Sequence, residues 1–174
     1  MTAPTLQTER LTLRAHRMED FDAFAALWAS EDSKFMGGPE DRNMAWHLFA
    51  GEIASWQLQG FGYWTLERQS DAALLGGCGF GRPPAFPERE LGWYLYADHR
   101  GHGYVTEAAR AARDFAYGTL GWSTLVSYIS LQNAASIAVA ERLGAVPDAT
   151  AAYADGDTPE DTVVYRHPAP EALQ

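Results

Sequence analysis

The sequence predicts a mixed α+β domain of about seven strands and four helices, in the order βααβββαβαββ. Three observations predict it. Short alternating or β-branched apolar runs recur between Gly, Pro and Asp clusters, which is how strands read. Other stretches space their apolar residues three and four apart, which is how helices read. One central strand runs through a glycine-rich loop directly into an alanine-rich helix.

The elements follow in chain order. Leu11-Thr-Leu-Arg14 alternates and reads as the first strand. Residues 18–28 place Phe21, Phe24, Leu27 and Trp28 at helical spacing, with Glu19 or Asp20 where an acid suits a helix start. Gly37-Gly38-Pro39 is a loop. Residues 43–58 form a second helix with Met44, Leu48 and Trp56 on its apolar face, broken by Gly60 and Gly62. Residues 63–67 and 74–80 form a hairpin around Gln69-Ser70-Asp71, and Arg82-Pro83-Pro84 ends it. Residues 90–96 are a strand, 106–117 a helix, 123–130 a strand and 134–143 a helix stopped by Gly144. Tyr153 and residues 162–166 complete the chain as a hairpin about Asp155-Gly156-Asp157.

A length of 174 residues suits one domain with its own core, here the whole of 1–174, with 8–166 as its essential part. No window is long and apolar enough to cross a bilayer, so no membrane role is expected. The N-terminus has neither the basic start nor the apolar stretch of a signal peptide, and a cytoplasmic protein is expected. The single cysteine, Cys78, excludes an internal disulfide and reads as a small buried residue. The five histidines form no metal-binding spacing, so no metal is expected. A net charge of −10 argues against a nucleic-acid partner, which needs a basic face. It suits a cationic substrate such as an amine, or serves solubility alone.

The chemistry concentrates in Arg100-Gly-His-Gly-Tyr-Val-Thr-Glu107, between a strand and a helix. Such a junction presents unpaired backbone N–H groups at the positive end of the helix dipole. Gly101 and Gly103 let the backbone approach a ligand closely. Together these make a diphosphate site or, equally, a plain tight connection. A dinucleotide fingerprint would need glycine where Thr106 stands, and the Gly-Lys-Ser/Thr of a P-loop is missing. The cluster Gly76, Gly77, Gly79 and Gly81 runs into two prolines and reads as strand glycines under close backbone packing.

Arg100-x-x-Gly103-x-Val105 resembles the acyl-CoA loop of the GNAT N-acetyltransferases, with Val105 in place of the usual Gly or Ala. Glu90-Leu-Gly-Trp-Tyr-Leu, Thr106-Glu-Ala, Thr8-Glu-Arg-Leu-Thr-Leu-Arg14, Asn133-Ala-Ala-Ser136 and Glu141-Arg-Leu-Gly144 resemble the branch that holds the ribosomal-protein N-terminal (Rim-type) acetyltransferases. The match spans about 8–166. It implies a mostly antiparallel central sheet that splays after the fourth strand, and acetyl-CoA as co-substrate. Pantetheine would then pair with main-chain groups of Trp93, Leu95 and Tyr96. His102, Gly103, Tyr104 and Val105 would give N–H groups to the diphosphate, with Arg100, Gly101 and Thr106 in the same loop.

The implied reaction is attack of a primary amine on a thioester in a ternary complex. A lysine-like amine, pKa ~10.4, is less than about 0.1% neutral at pH 7, and an α-amine, ~7.7–8.0, is roughly 10–20% neutral. A side-chain amine therefore needs a base far more than an N-terminus does. Glu90 is the candidate base, or else a solvated strand-end charge. Ser136 is the candidate acid toward the leaving thiolate, because Ala140 stands where many GNAT enzymes carry a tyrosine. Asn133 either caps its helix or binds pantetheine, and Arg142 meets CoA phosphate or is a helix-surface charge. The acceptor is a peptide N-terminus or a small-molecule amine, and monomer and homodimer are both open. A non-catalytic acyl-CoA-binding or sensing domain and an unrelated phosphate-binding enzyme are the alternatives.

Overall fold

The computed structural model describes residues 2–173. One eight-stranded sheet carries four α-helices. Its strands are β1 (Leu6–Gln7), β2 (Leu11–Arg14), β3 (Tyr63–Arg68), β4 (Leu74–Gly81), β5 (Glu90–Leu95), β6 (Val126–Ser130), β7 (Val146–Pro147) and β8 (Thr162–Arg166). The spatial order is β1-β2-β3-β4-β5-β6-β8-β7, antiparallel throughout except for β5 beside β6. The helices are α1 (Phe21–Trp28), α2 (Arg42–Leu58), α3 (Tyr104–Gly118) and α4 (Ala134–Arg142). The expected mixed fold and mostly antiparallel sheet are present, and β1 is added at the edge.

Two expectations need correction. Tyr153 is not in a strand; β8 pairs instead with β7, Val146 opposite Arg166. The chain between them is held by its own polar groups. Asp148 accepts from the Thr150 N–H and hydroxyl, the Asp155 N–H reaches Ala85 O, and Asp161 accepts from the Thr158 N–H. Such side-chain bonds compete with a ladder. On α2 the buried residues are Ala45, Phe49 and Trp56, whereas Met44 is exposed and Leu48 half-buried. The inward stripe thus lies one position on from Met44.

Helix α3 packs one sheet face through Ala108, Ala109, Ala112 and Ala116, all fully buried with Trp64, Leu66 and Leu91. Alanine lets the helix approach closely while favouring helix formation. The opposite face carries α1 and α2 through Phe24, Trp28, Phe49 and Tyr94. Cys78 is buried, and burial pushes its thiol pKa up, so it is an inert packing residue.

Glu107, in the first turn of α3, ties β2 to that helix. Its carboxylate accepts from the Thr8 hydroxyl, the Arg10 N–H at 2.9 Å and Arg10 Nε at 2.7 Å. Burial alone would raise its pKa; the bonds from Thr8 and Arg10 outweigh this and hold it below the ordinary value. A depressed carboxylate contributes stability above its unfolded pKa and loses it as pH falls through the folded one. Glu107→Gln should therefore cost about 1–2 kcal/mol at pH 7 in denaturant melts. The difference from wild type should shrink below about pH 4.

Candidate functional site

The site begins where β5 and β6 part. Their ladder has a single matched pair, Glu90 opposite Val126, with Val126 N donating to Arg89 O at 3.1 Å. At the next step a side chain takes over: the Ser127 hydroxyl donates to Leu91 O at 2.6 Å. A hydroxyl has one hydrogen. The His167 Nε2 that lies 3.0 Å from the same oxygen must therefore be the donor of its bond. His167 stays neutral, since burial and the nearby Arg113 push its pKa down to about 4. Beyond this vertex no main-chain bond joins the two strands.

Strand alternation says which groups line the gap. Arg89 O and Leu91 O point toward β6, while Tyr96 N donates to Leu75 O on β4 at 2.9 Å. The peptide groups of Trp93 and Leu95 consequently face the gap. On β6, Leu131 N turns to Asp161 O, so Tyr128 and Ser130 face the gap from the other side. Tyr96 differs from its expected part: its N–H is held by Leu75 and its carbonyl accepts from His99 N at 3.0 Å. Its N–H is therefore committed to β4 and does not face the gap.

The wide end of the gap opens beside the N-terminus of α3. Gly103 is the N-cap residue, left-handed at φ 78°, and it brings no side-chain cap. Gly101 is left-handed as well, at φ 81°. The first bond of the helix runs from Glu107 N to Gly103 O at 3.1 Å. The N–H groups of Tyr104, Val105 and Thr106 thus have no capping or intrahelical acceptor among the described residues, and they sit at the positive end of a helix of 15 residues. Val105 is buried, so its side chain packs inward and leaves the N–H at the loop.

Arginines from distant segments surround this loop. Arg10 donates from Nη1 to His102 O at 3.0 Å and lies 4.7 Å above the Tyr104 ring. Arg68 reaches the Tyr104 hydroxyl at 3.2 Å. Arg100 pairs with Asp32 at 2.9 Å and donates to Leu95 O at 3.3 Å, tying the loop to the segment after α1. No local pattern marks Arg10 or Arg68 in sequence, because only the β2–β3 pairing and the Glu107 tie bring them here. Each of these arginines is paired with a carboxylate, Arg10 with Glu107, Arg68 with Asp71 and Arg100 with Asp32, so the pull on an anion comes from the free N–H groups at the start of α3.

Glu90 sits at the vertex, on the sheet face that also bears Tyr94 and Tyr96. A Cβ on Gly92 would collide with the Tyr63 hydroxyl and lie 3.4 Å from Glu90 Oε2, so glycine there makes room for both groups. Glu90 keeps some solvent contact, yet desolvation pushes its pKa up to about 8. The Tyr128 N–H, directed at the carboxyl from across the gap, offsets this in part, and nearby Asp157 adds to it. Beside it the Tyr63 and Tyr94 rings stack at 6.3 Å, and the Tyr94 hydroxyl donates to Glu52 of α2 at 3.3 Å.

Across the sheet, α4 starts at the far wall of the gap. Asn133 caps it, its Oδ1 accepting from Ser136 N at 3.1 Å. The Ser136 hydroxyl accepts from Trp93 Nε1 at 3.3 Å. Trp93 and Ser136 therefore meet over the gap. Arg142 does not join them: it is exposed in the last turn of α4, at the opposite end of the helix, where a cation suits the dipole. Ala140 is fully buried between Ile129, Ala145 and Tyr165.

A strand thus peels from its parallel neighbour next to an uncapped, glycine-led helix. The acetyltransferase (GNAT) domain model covers residues 10–146. The chain belongs to the GNAT acetyltransferase family. It is an acyltransferase of that family and is 44% identical, with TM-score 0.89, to an acetyltransferase from Agrobacterium tumefaciens, over 96% of this chain and 95% of that one. It is also 30% identical to the Bacillus subtilis protein YkkB, over 83% of this chain and 87% of the relative. The fold matches the ribosomal L7/L12 α-N-protein acetyltransferase RimL in complex with coenzyme A, at TM-score 0.75 and 19% identity over 95% and 98% of the two chains. No helix of the GNAT domain is long and apolar enough to cross a membrane, and no metal-binding cluster occurs among the described residues.

Proposed function

We propose that the protein transfers the acetyl group of acetyl-CoA to a primary amine, by direct attack within a ternary complex. The uncapped N-terminus of α3, open onto the β5–β6 gap, carries this reading. The first offers N–H groups to a diphosphate, and the second offers the Trp93 and Leu95 peptides to a pantetheine amide. RimL in complex with coenzyme A and the microcin immunity enzyme MccE in complex with acetyl-CoA share the fold and support the choice of ligand.

The acceptor enters from the α1/α2 face, beside Tyr63, Tyr94 and Glu90. Glu90 takes a proton from the ammonium form, directly or through water, and the neutral nitrogen attacks the thioester carbonyl. The C–N bond forms, the C–S bond breaks, and the second proton lost by the nitrogen passes to the departing sulfur, so that CoA leaves as the thiol. Ser136, on the α4 side, donates a hydrogen bond to the departing sulfur. The two groups stand on opposite sides of the gap, with Glu90 three residues from Trp93, about 10 Å along the strand. Tyrosine is replaced by buried Ala140, which leaves Ser136 as the hydroxyl at this wall.

The acceptor is a peptide N-terminus or a small-molecule amine. The test is release of free CoA thiol from acetyl-CoA across a panel of N-terminal peptides and polyamines. Saturable, acceptor-dependent release is expected, and Ser136→Ala should slow kcat about tenfold without weakening acetyl-CoA binding. Tight acetyl-CoA binding with no turnover of any amine would replace this reading with the acyl-CoA-sensing one.

A further inference from the structure

We infer that Trp93 is the positioning residue for Ser136: its indole N–H fixes the Ser136 hydroxyl with the hydrogen turned toward the CoA sulfur. The inference rests on the role proposed for Ser136 above. Three observations carry it. Trp93 Nε1 lies 3.3 Å from Ser136 Oγ. The Ser136 main chain is itself fixed, its N–H bonded to the capping Asn133 at 3.1 Å. The Trp93 ring is wedged between the two apolar clusters on either side of the gap, packing against both that of α3 and that of α4, which leaves it little freedom to turn away.

The direction of the bond decides its consequence. An indole nitrogen only donates, and a hydroxyl carries one hydrogen and two lone pairs. With one lone pair taken by Trp93, the Ser136 hydrogen is free, and no other protein acceptor meets this hydroxyl among the described residues. A hydroxyl that accepts a bond also becomes a better donor, because chained bonds polarise one another. Trp93 thus acts from one step away from the chemistry. Its main chain lines the pantetheine wall, while its side chain orders the group that receives the sulfur.

The test needs no acceptor. The pH at which the thiol of bound CoA ionises is followed by its ultraviolet thiolate absorbance, in wild type, Trp93→Phe, Ser136→Ala and the double variant. A hydrogen bond to the thiolate lowers that pKa. Ser136→Ala should raise it by about one pH unit, and Trp93→Phe by about 0.5. In the Ser136→Ala background Trp93→Phe should add nothing. Equal shifts from Trp93→Phe in both backgrounds would mean that the ring acts by packing alone, and no shift from Trp93→Phe while Ser136 is intact would mean that its N–H is idle; either overturns the inference. No shift in Ser136→Ala would instead remove the role of Ser136, and this inference with it. Should Trp93→Phe fail to fold, benzothienylalanine placed at position 93 keeps the bicyclic shape without the N–H, and the same shifts are expected.

Discussion

Gly103→Glu should reduce acetyl-CoA affinity by at least about 100-fold in calorimetry while the protein stays folded. Two effects combine. Gly103 is left-handed at φ 78°, a conformation that a residue with Cβ leaves in the free protein and must be forced back into on binding, at about 1–2 kcal/mol. The new carboxylate can also reach the Tyr104, Val105 and Thr106 N–H groups, where it acts as a tethered competitor for the diphosphate. Gly103→Ala separates the effects, because it carries the backbone cost without the charge and should lose only about tenfold. Space is not the obstacle: the nearest atom to an added Cβ is Arg10 Nη2 at 3.7 Å. If Gly103→Glu binds acetyl-CoA within a few-fold of wild type, the loop is not the diphosphate site.

Glu90→Gln should lower kcat/KM about 100-fold for an acceptor with a lysine-like amine and much less for an α-amine. The reason is the fraction of each amine that is already neutral. In wild type the rate should rise with pH through about 8, where the buried carboxyl loses its proton, and that limb should vanish in Glu90→Gln. Stability gives an independent reading of opposite sign. A carboxyl whose pKa is raised on folding binds its proton more tightly in the native state. Its contribution therefore declines as pH rises from the unfolded value, ~4.3, toward about 8. Glu90→Gln should match wild type in thermal stability at pH 4 and exceed it at pH 9. A wild-type profile without the limb near 8, with both proteins equally stable at every pH, would leave Glu90 as a solvated strand-end charge.

Local signals made the site's core legible from sequence. Gly101 and Gly103 before an alanine-rich run fix both the backbone path and the helix start, so loop and helix could be read together. The Asn133 cap is likewise an i, i+3 feature confined to one turn. What escaped depends on contacts between remote segments. Arg10 reaches the loop only because Glu107, 97 residues away in sequence, holds it there. The second partner of β8 was misplaced because two residues, Val146 and Pro147, carry no strand period, whereas Tyr153 is a good strand former in a stretch whose aspartates bond locally. Of the two readings of Arg142, CoA-phosphate contact and helix-surface charge, its exposed place in the last turn of α4 fits the second. Tyr96 resembled a pantetheine partner by position, and strand alternation turned its N–H to β4 instead.

The most direct test of the central claim is a crystal structure of the protein with coenzyme A. The account predicts diphosphate oxygens within hydrogen-bond distance of the Tyr104, Val105 and Thr106 N–H groups. It also predicts pantetheine between β5 and β6 against Trp93 and Leu95, with the sulfur beside Ser136. Coenzyme A bound elsewhere, or a closed β5–β6 gap in the complex, would contradict it.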